Sequence, residues 1–130
     1  MCPEDNVALV RQGIDALNRR DMERYFAMYA PNCVFYEPPS EPFGVERDRQ
    51  NADRAFAEFP DMRLIINDIV AEAEKVVVLW TCRATHAPTD KSLAWTGVSF
   101  MYMADSKVIK DWVHSDLLGL QQQLAGGSPD

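Results

Sequence analysis

The second half of the chain decides the fold, because apolar residues recur there at every second position in four stretches: RLIINDIVA (63–71), KVVVLWTCRATH (75–86), LAWTGVSFMYMA (93–104) and KVIKDWVHS (107–115). A period of two is that of a β-strand, whose side chains point alternately to the two faces of a sheet. The tetrapeptide Ala104-Asp105-Ser106-Lys107 is typical of a tight hairpin, whereas residues 87–92 predict a longer loop. Consecutive strands are therefore expected to be antiparallel.

The first half of the chain has the apolar spacing of helices. Steps of three and four residues predict one amphipathic helix up to Asn18, a second over 22–29, and a third over 45–59, after a short strand at 33–37 and a proline-rich turn. The charged residues of the third helix, Asp48, Arg49, Asp53 and Arg54, are interpreted as its solvated face. The pattern predicts an α+β fold in which three N-terminal helices pack on one face of a mainly antiparallel, curved sheet that encloses a pocket.

Length and composition limit the possible functions. A chain of 130 residues fits one domain, expected over 1–125 with a flexible tail at 126–130. The net charge of −7 argues against a nucleic-acid partner. No stretch is long and apolar enough for a membrane span, and the acidic start of the chain is unlike a signal peptide, so we expect a cytoplasmic protein.

Cofactor and metal motifs are absent from the sequence. The three cysteines, Cys2, Cys33 and Cys82, form no C-x-x-C pair, and His86 and His114 lie near the ends of different strands without ligand-spaced carboxylates. There is also no P-loop, nucleophile elbow or dinucleotide fingerprint. We therefore expect no metal and no cofactor, which leaves acid and base chemistry by individual side chains.

The candidate catalytic residues come from the alternation of two predicted strands, 75–86 and 107–115. In residues 109–116, strict alternation places Trp112, His114 and Asp116 on one face, and the same alternation ends the apolar row of the 75–86 strand in His86. A carboxylate in apolar surroundings is a better base near neutral pH, and an imidazole can hold the charge of an enolate. Two interpretations of Asp116 remain open from spacing alone, since it can act as a base or cap the leucine-rich C-terminal turn predicted over 117–124. For the two histidines, a solvated strand end is the simpler interpretation.

Aromatic and sulfur-containing side chains supply the candidate substrate contacts. Residues of this kind serve as core or as cavity lining in a curved sheet. The candidates are Trp80, Trp95, Met101, Tyr102, Trp112 and, at the end of the 33–37 strand, Tyr36. Such residues more often form the core than contact a ligand. If they line the cavity, the expected partner is a hydrophobic small molecule.

Several motifs together resemble the SnoaL-like polyketide cyclases of the nuclear transport factor 2-like superfamily. These are residues 34–38 with Pro42-Phe43-Gly44, the pair Thr85-His86, and KVIKDW (107–112) followed by Asp116 and LGLQQQL (118–124). The resemblance spans nearly the whole chain and implies a cone-shaped α+β barrel that forms a homodimer through its sheets. It also implies a cofactor-independent aldol ring closure on a polyketide-like carbonyl compound, with Asp116 as the general acid and base.

Other functions remain open at this point. A ketosteroid-isomerase-like enzyme would need a tyrosine, such as Tyr102 or Tyr36, and a second inward acid, which the sequence does not reveal. An epoxide hydrolase is poorly supported, because Arg83 lies on the strand face opposite His86. A non-catalytic module that binds a small molecule, or a dimerisation domain whose cavity is filled by its own side chains, would use the same fold.

Overall fold

The computed structural model describes residues 2–126 and confirms an α+β fold. Its helices and strands follow the predicted order, with one helix more at the end. They are α1 Pro3–Asn18, α2 Met22–Phe26, β1 Tyr29–Tyr36, α3 Val45–Glu58, β2 Arg63–Glu72, β3 Lys75–His86, β4 Lys91–Ala104, β5 Lys107–Ser115 and α4 Leu117–Gly126.

The five strands form one mixed sheet in the order β1-β5-β4-β3-β2. The pairs β2–β3, β3–β4 and β4–β5 are antiparallel, as predicted, and β1 joins the far edge parallel to β5. The predicted tight hairpin between β4 and β5 is confirmed, because Asp105 and Ser106 have φ angles of 49° and 64°. Positive φ at both central residues is what a two-residue hairpin turn of type I′ requires.

Three details of the secondary structure differ from the sequence prediction. Helix α2 ends at Phe26, and β1 begins at Tyr29 and passes through Pro31. Proline is tolerated there because β1 is an edge strand, so its backbone nitrogen is not needed by a second neighbour. The predicted C-terminal turn is a ten-residue helix that includes Gly126, and the rest of the predicted tail, 127–130, lies outside the described residues.

The core lies between α1, α2 and the concave face of the sheet. Its centre is formed by fully buried residues from every layer, including Val10, Phe35, Val76, Val78 and Val108. Cys33 and Cys82 belong to the same cluster as free thiols, and burial raises the pKa of each to about 12. They pack as small apolar side chains.

Two side-chain amides attach helices to strand backbones. Asn18, the last residue of α1, donates to the carbonyl oxygen of Leu64 and accepts from its backbone nitrogen, both at 2.8 Å. Gln123 of α4 makes the same pair of contacts with Ala94, at 2.8 and 3.1 Å. Each amide takes the place of a neighbouring strand, so α1 is fixed to β2 and α4 to β4.

Within residues 2–126, no helix is both long and apolar enough to cross a membrane.

Candidate active site

Strand β5 does not alternate strictly, and this decides which of its side chains enter the interior. Val108 pairs with Met103 and Lys110 pairs with Tyr102, so Ile109 is an extra residue that forms a β-bulge. A bulge of one residue exchanges the two faces of the strand beyond it. Val108 is fully buried and so is Asp111, three residues later, whereas Trp112 is 37 % exposed. The predicted placement of Trp112, His114 and Asp116 in the cavity is therefore wrong.

A cavity of about 150 Å³ lies between α1, α2 and the concave face of the sheet. Most of its wall is apolar and comes from Ile14, Leu17, Met28, Phe35, Leu64, Trp80, Met101 and Val113. The polar side chains that line it are Tyr25, Tyr29, Glu37, Asp48, Ser99 and Asp111. The described residues of the lining include three carboxyl groups and no lysine, arginine or histidine.

Asp111 is the most buried of these acids. Its side chain is 2 % exposed, and its Oδ1 atom is buried without a hydrogen-bond partner. Burial raises the pKa of Asp111 well above its usual value, with further contributions from the charges of Asp48 and Glu37 and an opposing one from the Tyr29 hydroxyl. Once ionised, a carboxylate in such surroundings is a strong base, because taking up a proton removes the cost of burying its charge.

The other two acids of the cavity, Glu37 and Asp48, lie on either side of the loop that follows β1, and this loop sets their positions. The backbones of Phe35 and Phe43 exchange two hydrogen bonds, of 2.8 and 3.1 Å, so the proline-rich loop returns to the end of β1. Glu37 follows β1 directly, and Asp48 lies in the first turn of α3, which begins at Val45. Burial and the charge of Glu37 raise the pKa of Asp48 to about 7, and burial raises that of Glu37. The interpretation of Asp48 as part of a solvated helix face is wrong.

Two tyrosines bring their hydroxyl groups to the same cavity. The oxygens of Tyr25, on α2, and Tyr29, at the start of β1, are 3.2 Å apart, within hydrogen-bonding distance. Burial is the main cause that raises the pKa of both above the ordinary value of 10.0. Both hydroxyls therefore stay protonated at neutral pH and can donate hydrogen bonds.

The indole of Trp80 forms another part of the cavity wall, and its orientation is fixed on two sides. Its Nε1 atom donates to the Ser99 hydroxyl at 3.1 Å, and its ring occupies the space where a side chain at Gly97 would lie. A Cβ atom at position 97 would also be 2.8 Å from the carbonyl oxygen of His114. Glycine at this position therefore allows the indole to pack directly against the backbone of β4.

The structure places Asp116 outside the cavity, at the start of α4. Its side chain is exposed, and Oδ1 accepts a hydrogen bond from the backbone nitrogen of Gly119 at 2.9 Å. Its own nitrogen donates to the carbonyl oxygen of Thr96. This is the geometry of a helix N-cap, the alternative that spacing had left open.

The predicted histidines also lie away from the cavity. The Nδ1 atom of His86 is 2.8 Å from the Thr89 hydroxyl and its Nε2 atom is 3.4 Å from Glu58, so it connects α3 to the loop after β3. His114 is exposed beside the Trp112 ring. Trp95 contacts Phe59 in a second apolar cluster beneath α4.

Three predicted aromatic contacts lie on the convex face of the sheet. Tyr36 and Trp112 are stacked with ring centroids 4.3 Å apart, and the ring of Tyr102 lies 4.8 Å from the ammonium group of Lys110. Of the nine predicted site residues, Trp80 and Met101 line the cavity.

No group of three or more His, Cys, Asp or Glu among residues 2–126 is arranged to hold a metal ion.

Comparison with known proteins shows the family. The family model of the SnoaL-like polyketide cyclases matches residues 7–124, so the chain belongs to that family. No curated protein shows significant sequence similarity to the chain.

Solved structures show the same cone-shaped fold. AclR from Streptomyces galilaeus, a proposed hydroxylase, has a TM-score of 0.89 and 24% identity over 99% of this chain and 89% of its own. A proposed SnoaL-like polyketide cyclase from Jannaschia sp. CCS1 has a TM-score of 0.87 and 18% identity over 97% and 95%. IdmH from Streptomyces antibioticus, a proposed polyketide cyclase, has a TM-score of 0.84 and 24% identity over 92% and 97%.

Proposed function

We propose that this protein is a cofactor-independent enzyme of the cyclase type, in which Asp111 is the general base that removes a proton from a carbon beside a carbonyl group. The observation that carries the proposal is Asp111 itself, which lines an apolar cavity and whose Oδ1 atom is buried without a hydrogen-bond partner. Burial of an unpartnered acceptor costs about 1–3 kcal/mol. A bound substrate recovers this cost by placing its acidic C–H group against the oxygen.

The reaction needs groups that this cavity supplies. Asp111 takes the proton, the electron pair of the C–H bond becomes an enolate, and the enolate carbon attacks an internal carbonyl carbon to close a ring. The protonated Asp111 then returns its proton to the alkoxide oxygen that ring closure forms. The hydroxyls of Tyr25 and Tyr29 are suited to donate hydrogen bonds to the enolate oxygen. The apolar wall holds the chain of the substrate in a reactive geometry, which lowers the barrier further.

The size of the cavity limits the substrate. A volume of about 150 Å³ is similar to that of an engineered apolar cavity in another protein, which binds benzene. We therefore infer that the reacting part of the substrate is a hydrophobic carbonyl compound with the bulk of a single six-membered ring. This empty space also disfavours a purely structural domain filled by its own side chains.

A ketosteroid-isomerase-like reaction is the second candidate, and a specific observation favours it. That chemistry uses an aspartate base with a tyrosine and a protonated carboxyl group that hold the enolate oxygen. The inward acid that the sequence did not reveal is Asp48, which lines the same cavity as Asp111 and Tyr29. Proton removal by Asp111 is the first step in both reactions.

Exchange of carbon-bound hydrogen tests this proposal. Proton NMR in deuterated buffer follows exchange in monocyclic β-dicarbonyl compounds with the wild type, Asp111→Asn and Asp116→Asn. We expect exchange above the buffer rate for the wild type and Asp116→Asn, and a loss of at least about 100-fold for Asp111→Asn. Exchange that survives in Asp111→Asn but disappears in Asp116→Asn contradicts the proposal. Tight binding of these compounds without exchange in any variant favours a non-catalytic binding module.

We further propose that the protein is a homodimer that buries the convex face of its sheet. One row of cross-strand neighbours runs through all five strands on this face: Val70, Val77, Phe100, Trp112 and Tyr36. Val70 is 58 % exposed and Trp112 37 %. A continuous apolar row of this kind is typical of a protein interface, and a second copy presents a row of equal length.

The cytoplasmic location stays a prediction from the sequence.

A further inference from the structure

The cavity beside Asp111 carries acidic groups that no basic residue balances. Among the described residues, its lining has the carboxyl groups of Glu37, Asp48 and Asp111 but no lysine, arginine or histidine. The side chains of Glu37 and Asp48 make no ion pair or hydrogen bond with any residue in 2–126, and the Oδ1 atom of Asp111 is buried without a hydrogen-bond partner. Buried carboxyl groups are normally paired with a cation or with hydrogen-bond donors. The arrangement therefore fits a bound molecule that brings a positive charge.

A cation in this cavity would also favour the charge state that the reaction needs. Burial raises the pKa of all three carboxyl groups, and their mutual repulsion adds to the effect at Asp48 and Asp111. A sphere with the volume of the cavity is only about 7 Å across, so a cation inside it lies close to each of these groups. A nearby positive charge favours the ionised form of a carboxyl group. It therefore favours the ionised form of Asp111, which is the form that acts as a base.

The rest of the wall indicates an organic cation and not a metal ion. The aromatic rings of Tyr25, Tyr29 and Phe35 line the cavity together with aliphatic side chains. The faces of aromatic rings attract ammonium groups, and aliphatic side chains suit the hydrocarbon part of such a molecule. A divalent metal ion prefers about six or more oxygen ligands, and no acidic group within the described part of the chain is arranged to hold one.

Differences in exposure place the positive charge at one end of the cavity. Asp111 is 2 % exposed, whereas Glu37 and Asp48 are only partly buried, on either side of the loop that follows β1. An ammonium group keeps part of its hydration at a partly buried site, and it would lose nearly all of it beside Asp111. The charged end of the ligand therefore belongs at Glu37 and Asp48, and the uncharged end at Asp111.

We propose that the substrate is a carbonyl compound that carries a protonated amine, and that the carboxyl groups of Glu37 and Asp48 together bind its ammonium group. This inference rests on the function proposed above, with Asp111 as the base. The ammonium group orients the acidic C–H group toward Asp111, and its charge stabilises the enolate. The net charge of −7 attracts a cationic substrate from solution.

Three ligands of similar size test the charge preference without any reaction. Benzylamine, benzyl alcohol and benzoate carry a cationic, a neutral and an anionic group on one six-membered ring. Their binding is measured by calorimetry and by NMR at the indole Nε1–H signal of Trp80, on the cavity wall. We expect benzylamine to bind at least about 10-fold more tightly than benzyl alcohol, and benzoate to bind most weakly. Equal affinity for benzylamine and benzyl alcohol, or tightest binding of benzoate, overturns the inference.

Two double variants with the same change in net charge locate the groups that bind the amine. Glu37→Gln with Asp48→Asn should lower the preference for benzylamine over benzyl alcohol at least about 5-fold. Glu41→Gln with Asp53→Asn removes two exposed carboxyl groups from the same loop and helix, and it should keep the wild-type preference. An unchanged preference in the first double variant overturns the assignment to Glu37 and Asp48.

The outcomes distinguish this inference from the proposed function. Equal binding of the amine and the alcohol overturns the ammonium site and leaves the base, which hydrogen exchange with Asp111→Asn tests separately. Exchange that survives in Asp111→Asn overturns the base and leaves the measured charge preference in place. Calcium chloride that shifts the Trp80 signal at a lower concentration than benzylamine does would overturn the assignment to an organic cation.

Discussion

Replacing Asp48 by asparagine should make the protein more stable at alkaline pH, because the folded chain holds this carboxyl group in an environment that disfavours its charge. The pKa of Asp48 is about 7 in the folded state and 3.8 ordinarily. The folded state therefore binds more protons than the unfolded state between these values, and stability falls as the pH rises through this window. Each unit of difference corresponds to about 1.36 kcal/mol, so the full effect is about 4 kcal/mol. The partial exposure of Asp48 reduces this to about 2 to 3 kcal/mol.

Urea unfolding, followed by tryptophan fluorescence at a series of pH values, measures this effect. At about pH 4 the wild type and Asp48→Asn should have similar free energies of unfolding, and at about pH 8 the variant should be more stable by about 2 kcal/mol. Asp53→Asn, on the exposed side of the same helix, is the matched control and should follow the wild type. The reasoning is refuted if Asp48→Asn loses stability as steeply as the wild type over this range, or is the less stable protein at about pH 8.

Three further predictions concern the cap, the cavity wall and the convex face. Asp116→Ala removes the cap of α4 and should cost about 1 kcal/mol in urea unfolding, with hydrogen exchange in β-dicarbonyl compounds unchanged; a loss of exchange would return Asp116 to the active site. Gly97→Ala displaces the indole of Trp80, and we expect a cost of about 1–3 kcal/mol and a changed fluorescence spectrum; wild-type stability would show that the close contact is absent. Phe100→Glu places a charge in the middle of the apolar row and should convert a dimer into monomers in sedimentation experiments; an unchanged dimer would exclude this face as the interface.

The fold was predictable because local pattern and tertiary structure agree over most of the chain. Period-two stretches became strands, and the end of α1 and both bounds of β3 match the predicted ones. The parallel pairing of β1 with β5 was not predictable from spacing, because it joins distant parts of the chain. The length of α4 was underestimated, since its attachment depends on Gln123 reaching the backbone of Ala94.

The site was mostly not predictable, for two physical reasons. Alternation assigns a strand face only where no residue is inserted, and the bulge at Ile109 reversed the faces of β5 between Val108 and Asp111. The burial of Asp48 depends on the return of the proline-rich loop to β1, a contact that helical periodicity does not contain. Trp80 lies on the cavity wall because β3 alternates without interruption from Val76 to that residue, and its role as a substrate contact stays a prediction.

The central claim is that the reaction takes place in the cavity beside Asp111 and not at the exposed start of α4. Titration of nitrogen-labelled protein with phenol, a planar mimic of an enol with the size of the cavity, tests this directly. The claim predicts that the indole Nε1–H signal of Trp80, on the cavity wall, shifts and saturates while the amide signal of Gly119, which contacts Asp116, stays in place. A shift at Gly119 with an unchanged Trp80 signal would contradict it.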